Sequence, residues 1–177
     1  SMSCVVIDVT QRKEMEEKLQ INEERFRIAL DQTSNIVFDH DLLTKRTVQS
    51  VQAQKIYGLP IVMENVPESL VERGTIVPDS AEEFRALYRR VAEGQPSSSA
   101  VVQTVGVNGE SLWARITLKT IYNSDGKPVR AVGMVEDITR QRRAELTSLK
   151  EEQYRRAILS DAVAYAEINL TKDRFEK

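Results

Sequence analysis

The stretch NGESLWARITLKTIYNSDGKPVRAVGMVEDIT, residues 108–139, places two turn signals around a long β-prone segment. Asn108-Gly109 suits a two-residue type I′ hairpin turn, because both residues tolerate a positive φ. The residues from Asn123 to Gly126 are typical of turns and predict a second hairpin connection. Together with the segment before it, the stretch predicts three successive antiparallel strands, at about 100–107, 110–122 and 129–136.

The middle strand of this predicted meander alternates between apolar and polar residues. Successive side chains of a strand point to opposite faces of the sheet. The polar positions Arg115, Thr117 and Lys119 therefore share one face. The other face carries Leu112, Ala114, Ile116 and Leu118, and we expect it to form part of the core.

The residues before the meander predict a strand pair and then a short helix. The segment NIVFDHDLLTKRTVQSV, residues 35–51, alternates between apolar and polar residues around a polar turn, which favours two short strands. The segment AQKIYGL, residues 53–59, predicts a helix of one or two turns that ends at Gly58.

A longer helix is predicted over AEEFRALYRRVAEG, residues 81–94. Asp79 or Ser80 is the candidate N-cap, and Gly94 is the candidate stop signal. Two strands, then helices, then a meander indicate an α+β fold in which all strands form one antiparallel sheet.

Segments from the start of the chain recur near its end. VVIDVT at 5–10 parallels MVEDIT at 134–139, and VFDHDLLTK at 37–45 parallels AYAEINLTK at 164–172. This repeat indicates one complete structural unit flanked by parts of two related units. We predict the last strand of a preceding unit at 1–10, a connector helix at 11–31, the complete unit at 32–139, a C-terminal connector helix at 140–160, and the start of a following, truncated unit at 161–177.

The meander resembles a PAS domain with its C-terminal, PAC-type meander, on the strength of the Gly109-x-x-x-Trp113 strand and the closing Asp137-Ile138-Thr139. The whole chain then resembles a piece of a tandem PAS array from a multidomain signalling protein. The resemblance implies a PAS fold, with a five-stranded antiparallel sheet that cups a small cavity and is flanked by short helices. It also implies N- and C-terminal connector helices that dimerise and pass a signal to an effector, such as a histidine kinase or a diguanylate cyclase.

An Asp-x-Thr triplet precedes both charged helices. Thr10 and Thr139 are candidate N-caps, because a hydroxyl there accepts a hydrogen bond from a free amide of the first turn. Asp8 and Asp137 complement the positive end of the helix dipole. We predict that these four residues form a signal-relay motif, at the point where a helix leaves a sheet.

The first connector helix carries Met15, Leu19, Asn22 and Phe26 at a 4-3-4 spacing. This spacing is typical of a coiled-coil seam, and it predicts a dimer seam here. The alternative is an amphipathic helix that lies on the sheet of its own chain. The repeat favours the connector helix, and we expect a homodimer.

A small molecule bound by the predicted fold would contact the concave face of the sheet and the longer helix. The alternative is that the same side chains fill the core completely. The predicted pocket residues are Phe38, Ile56, Tyr57, Leu87, Val91, Ile116 and Leu118.

His40 is the only histidine of the chain, and it lies between Asp39 and Asp41. It has two interpretations, a metal or haem ligand and a solvated side chain, of which we favour the second. By the resemblance, haem-binding PAS domains use a histidine on the longer helix, and covalent flavin chemistry needs an Asn-Cys-Arg-Phe-Leu type motif. Both features are missing from the sequence. We expect neither haem nor flavin, no metal and no catalytic residue, and an unknown small molecule stays an open alternative.

The 25 basic and 27 acidic residues nearly cancel, so no overall field attracts nucleic acid or anionic lipid. Cys4 is the only cysteine, which fits a reducing compartment. No apolar run approaches the ~18 residues of a membrane span, and we expect no direct membrane contact. We predict a cytoplasmic sensory and signal-relay module without enzymatic activity of its own, whose partners are a second copy and adjacent PAS and effector domains. The alternative function is a structural connector and dimerisation domain with a filled core.

Overall fold

The computed structural model describes the backbone of residues 3–175 and the side chains of residues 9–29, 32–165 and 167. The chain divides into two units, one up to Asp137 and one from Ile138 onward. The helices of the first unit are α1 (Ser3–Asp31), α2 (Gln52–Tyr57), α3 (Glu68–Glu72) and α4 (Ala81–Ala92). Its strands are β1 (Ile36–Asp41), β2 (Thr47–Gln49), β3 (Val62–Met63), β4 (Ser97–Val105), β5 (Ser111–Tyr122) and β6 (Pro128–Asp137). The second unit contains α5 (Thr139–Phe175).

The described strands form one antiparallel sheet in the order β3-β2-β1-β6-β5-β4. β1 pairs with both β2 and β6, and it thereby joins the first strand pair to the meander. The predicted α+β architecture with flanking helices is confirmed, but the sheet has six strands where five were expected. The additional strand is β3, whose two residues pair with β2 as Thr47↔Met63 and Val48↔Val62.

The hairpin turn between β4 and β5 lies where it was predicted but differs in type. The N–H of Gly106 donates to the carbonyl of Glu110 at 2.9 Å, which leaves residues 107–109 as the loop. Of these three residues, Gly109 has a positive φ, of 79°, and Asn108 does not. The type I′ prediction is therefore wrong, because the loop has three residues and needs the left-handed conformation only at its end.

The core lies between the sheet and α2 to α4. On β5, Ala114, Ile116 and Leu118 are buried as predicted, whereas Leu112 is only half-buried. The buried residues of α4 include Phe84, Leu87, Tyr88 and Val91. These side chains meet the inward residues of the strands in one apolar cluster.

The start of α4 is held by a tertiary contact instead of a side-chain cap. Ser80 precedes the helix but makes no capping hydrogen bond, and Asp79 lies inside a short 3₁₀ turn, Pro78–Ser80. The Ser80 hydroxyl accepts a hydrogen bond from the backbone N–H of Gln103 at 2.9 Å. Ser80 occupies the predicted N-cap position, but the predicted side-chain cap is wrong, because this hydroxyl links the start of α4 to β4.

The described residues near both ends of the chain are helical, although the sequence predicted a strand at 1–10. Residues 3–10 belong to α1, and residues 161–175 belong to α5. A strand needs a neighbouring strand to pair its amides, whereas a helix pairs its backbone groups internally. Residues 3–10 pair with no strand of the described chain, so the strand prediction for 1–10 is wrong over the residues that the structure describes. The assignment of 161–177 to a following unit stays a prediction.

Candidate functional site

An apolar cavity of about 50 Å³ lies in the core, between the sheet and the helices α2 to α4. Its walls come from all three helices and from the inward faces of the strands. They include Ile36, Phe38, Met63, Leu70, Phe84, Ala114 and Ile116. A cavity of about 150 Å³ accommodates one benzene molecule. The cavity in this chain therefore accepts only a guest smaller than an aromatic ring unless the surrounding side chains move.

Most polar groups in the cavity wall bind one another or the backbone. The hydroxyl groups of Tyr57 and Thr104 are hydrogen-bonded at 3.1 Å. Burial raises the pKa of the Tyr57 phenol, so this group stays neutral near pH 7. The side-chain amide of Gln49 donates to the carbonyl of Pro60 at 2.7 Å. The cavity thus offers mainly apolar contact, with few polar groups to orient a guest.

The predicted pocket residues divide into two groups. Phe38, Tyr57 and Ile116 line the cavity. Leu87, Val91 and Leu118 are fully buried in the core but do not line it, and Ile56 packs at the edge of the core. The difference arises because burial was predictable from periodicity, whereas the position of a small void depends on how side chains from distant segments fit together. The contribution of any of these residues to ligand binding stays a prediction.

His40 is buried, and the prediction of a solvated side chain is wrong. Its Nδ1 is hydrogen-bonded to the hydroxyl of Thr47 at 2.8 Å. Its ring meets the ring of Tyr88 edge-on, with 4.9 Å between the centroids. Burial lowers the pKa of His40 from 6.5 to about 4, because desolvation outweighs the attraction of Asp41 and Asp39. His40 is therefore a neutral part of the core at physiological pH.

Tyr88 of α4 lies at the centre of an aromatic group in the core. It contacts His40 on one side and Phe84 on the other, with 5.2 Å between the centroids of the Phe84 and Tyr88 rings. Burial alone raises the pKa of the Tyr88 phenol. Its hydroxyl makes no hydrogen bond with another described residue. This buried phenol is a candidate polar contact for a guest.

The predicted relay motif lies at different positions in the two helices. Thr10 lies inside α1 and is not its N-cap, and the side chain of Asp8 lies outside the described residues. Asp137 is the last residue of β6. Thr139 is the first helical residue of α5, one position later than an N-cap. The capping prediction is wrong for Thr10, because α1 begins earlier in the chain than expected.

The predicted dimer seam is exposed along α1. The exposed fractions are 74% for Met15, 60% for Leu19 and 58% for Phe26, and Asn22 is exposed as well. These values exclude the alternative in which the same residues pack onto the sheet of their own chain. Pairing with a second copy stays a prediction.

Two features of the described residues concern the fit of haem and flavin. α4 contains no histidine, and the Nδ1 of His40 is held by Thr47 inside the core. A cavity of about 50 Å³ is far smaller than a porphyrin or a flavin ring system requires. Among the described residues, no group of three or more His, Cys, Asp or Glu side chains is placed to hold a metal ion.

The chain thus combines one antiparallel sheet, short helices on one side of it and a small cavity beneath α4. The model of the PAS fold family matches residues 36–143, which is more than half of the chain. The chain belongs to the PAS fold family. The match contains the whole sheet of this PAS domain and the first residues of α5.

Solved structures show the same fold. The crystal structure of a sensory box histidine kinase/response regulator from Burkholderia thailandensis E264 is 24% identical with a TM-score of 0.58, and the similarity covers 75% of this chain and 98% of that one. The N-terminal domain of a diguanylate cyclase with PAS/PAC sensor from Marinobacter aquaeolei is 15% identical with a TM-score of 0.54, over 61% and 98% of the two chains. A PAS domain from Colwellia psychrerythraea is 20% identical with a TM-score of 0.51, over 68% and 98%.

No curated protein matches this PAS domain significantly. Among the described residues, none of the helices combines the length with the apolar character that crossing a lipid bilayer requires.

Proposed function

We propose that this PAS domain is a sensory and signal-relay module of a cytoplasmic multidomain signalling protein. In this proposal a change in the core alters the pairing of α1 with a second copy, and the connector helices carry the change to adjacent PAS and effector domains. The output is a histidine kinase or a diguanylate cyclase in another part of the protein. The domain itself binds its signal and does not catalyse a reaction.

The exposed seam of α1 carries this proposal. Leu19 and Phe26 are large apolar side chains that are each more than half exposed on one helix. Apolar side chains at seam spacing are stabilised when a second helix covers them. A homodimer through α1 covers these side chains. The proposed signal changes how the two α1 helices pair.

The cavity is the proposed point at which the signal enters. It is apolar, and it lies next to the buried pair Tyr57–Thr104 and the phenol of Tyr88. A guest there changes the packing of α2 to α4 against the sheet, because close-packed interiors transmit small displacements. We propose a small, mainly apolar signal molecule, and neither haem nor flavin.

The small size of the cavity also favours a second candidate function. A void of about 50 Å³ is close to a filled core. A domain with such a core would serve as a structural connector and dimerisation unit, and it would bind no signal. The two functions differ in whether an occupied cavity changes the dimer.

A xenon experiment tests both functions with a probe that fits a small apolar void. The chemical shift of ¹²⁹Xe is measured with the wild type and with Ala114→Val, which places extra volume at the cavity wall. Thr117→Val, on the opposite face of the same strand, is the matched control. The dimer dissociation constant is measured for each protein, with and without xenon.

The relay function predicts saturable xenon binding in the wild type and in the control, and weaker binding in Ala114→Val. It also predicts that xenon or Ala114→Val changes the dimer dissociation constant by about threefold or more, which corresponds to at least about 0.7 kcal/mol. Xenon binding without a change in the dimer would support the structural connector. A wild type that stays monomeric at high concentration would overturn both functions.

A further inference from the structure

A second recess, distinct from the apolar cavity, lies on the surface between α4, the turn after β1 and the start of α3. Its volume is about 300 Å³, and its walls include His40, Lys45, Glu68, Arg85 and Arg89. This volume is at the lower end of the range of small-molecule sites, which begins at about 300 Å³. We call this recess the basic cleft.

Three cationic side chains line the basic cleft together with Glu68, and a second carboxylate, Glu82, binds Arg89 from outside the lining. The guanidinium of Arg85 binds Glu68 through its Nε and Nη2 atoms, at 2.9–3.0 Å. Arg89 is held by Glu82 through one nitrogen, Nη2, at 2.8 Å. Both carboxylates therefore position an arginine, and each guanidinium keeps further N–H groups that these bonds do not use.

Lys45 is the cation of the cleft that forms no direct ion pair with a described carboxylate. It makes no ion pair with another described residue. Its charge nevertheless acts on the cleft, because it lowers the pKa of both His40 and Glu68. Lys45 also has a positive φ of 58°, which the turn between β1 and β2 imposes on it. An anion here would meet the ammonium of Lys45, whose charge acts on the Glu68 carboxylate without an ion pair between them.

The wall behind the basic cleft is also a wall of the apolar cavity. Val66 and Tyr88 line both spaces. Tyr88 is only 6% exposed, and its hydroxyl makes no hydrogen bond with another described residue. This hydroxyl is not one of the fully buried polar atoms without a partner among the described residues, so a guest or water in either space can bind it.

We propose that the basic cleft binds a small organic anion through a carboxylate or phosphate group, with Lys45, Arg85 and Arg89 as its charge partners. Arginine N–H groups bind such oxyanions in a planar fork, and the ammonium of Lys45 adds a point charge. The site gives this PAS domain a second input, one side chain away from the apolar cavity. Anion binding in the basic cleft does not depend on the function proposed for the apolar cavity.

His40 reports directly on the cleft, and the sequence contains no other histidine. The charged groups that act on it are Asp39, Asp41 and Lys45, and its uncharged neighbours are Thr47 and Tyr88. A bound anion adds a negative charge beside Lys45 and thereby stabilises the imidazolium. Anion binding should therefore raise the pKa of His40.

The experiment follows the His40 ring signals by NMR while the wild type is titrated with succinate, with inorganic phosphate, and with sodium chloride at matched ionic strength. The variants are Lys45→Gln and Arg89→Gln. Lys119→Gln, which removes an exposed lysine of β5 outside the cleft, is the matched control.

We expect succinate or phosphate to shift the His40 ring signals in a saturable way and to raise the pKa of His40. Sodium chloride should cause no saturable shift of these signals. The anion that saturates at lower concentration identifies the preferred group. Lys45→Gln and Arg89→Gln should each weaken binding by about tenfold or more, because each removes a charge-assisted contact, and Lys119→Gln should leave it unchanged. Equal responses to all three salts, or equal weakening by Lys45→Gln and Lys119→Gln, would overturn the proposal.

Discussion

The ring of Phe38 lies across Gly133, the residue directly opposite it on the neighbouring strand β6. Gly133 is also paired with Leu118 on its other side. A β-carbon at position 133 would lie 2.7 Å from Cδ2 of Leu118 and closer still to the Phe38 ring. The absence of a side chain at Gly133 is therefore what allows Phe38 to reach the apolar cavity.

Replacing Gly133 with alanine should destabilise the domain. The added methyl group forces the Phe38 ring and Leu118 apart, and overpacking of this kind costs about 1–3 kcal/mol. Urea denaturation of Gly133→Ala checks the expectation. Val132→Ala, at an exposed neighbouring position, is the control and should change the free energy of unfolding much less. A Gly133→Ala protein as stable as the wild type would show that the Phe38 packing is more adaptable than its geometry indicates.

His40 should make the stability of the domain depend on pH between about pH 6.5 and pH 4. Its pKa is about 4 in the folded protein and 6.5 as its ordinary value. As the pH falls through this window, the unfolded chain takes up a proton that the folded protein does not, so the free energy of unfolding decreases. The total loss is about 3 kcal/mol, and below pH 4 this contribution no longer changes.

The pKa of His40 is measured directly from the NMR titration of its ring. The difference in pH dependence between the wild type and His40→Gln isolates the effect of this residue from those of the carboxylates. A ring pKa near 6.5 would contradict the buried, Thr47-bonded geometry.

Charge in the α1 seam should dissociate the proposed dimer. The double substitution Leu19→Lys and Phe26→Lys places two ammonium groups where apolar side chains would pair, and burying unpaired charges is strongly unfavourable. Multi-angle light scattering should report a dimer for the wild type and a monomer for the variant.

The control for the seam is the pair Glu17→Gln and Glu24→Gln, which changes the net charge by the same amount at exposed positions outside the seam. This control should remain dimeric. Identical masses for the seam variant and the wild type would show that α1 does not carry the dimer.

The purified protein should be colourless. Its donor groups and the size of its cavity do not suit haem or flavin. An absorption spectrum from 350 to about 700 nm, where flavins and haems absorb, checks this expectation. Mass spectrometry of small molecules released on denaturation identifies any other bound compound, and a flavin or a porphyrin in that extract would contradict the fit.

Local patterns in the sequence determined the meander, the short helix that ends at Gly58 and the longer helix α4. Gly58 has the predicted left-handed conformation, with φ 66°, and its N–H donates to the carbonyl of Gln54 at 2.9 Å. Ile116 and Leu118 are buried as the alternation on β5 predicted. These features depend on residues that are close in sequence, so periodicity and turn chemistry are enough to predict them.

Tertiary structure decided the features that depend on distant residues. His40 is buried for two reasons. Its strand β1 pairs with β2, where Thr47 lies directly opposite His40, and Tyr88 of α4 covers the ring. β3 exists only through its pairing with β2, and two residues carry no periodic signal of their own. Residues 3–10 and 161–175 resemble strands of related units, but a strand cannot satisfy its amides alone, and these segments are helical here. A backbone segment takes the conformation that pairs its polar groups, and only the tertiary structure determines which partners are within reach.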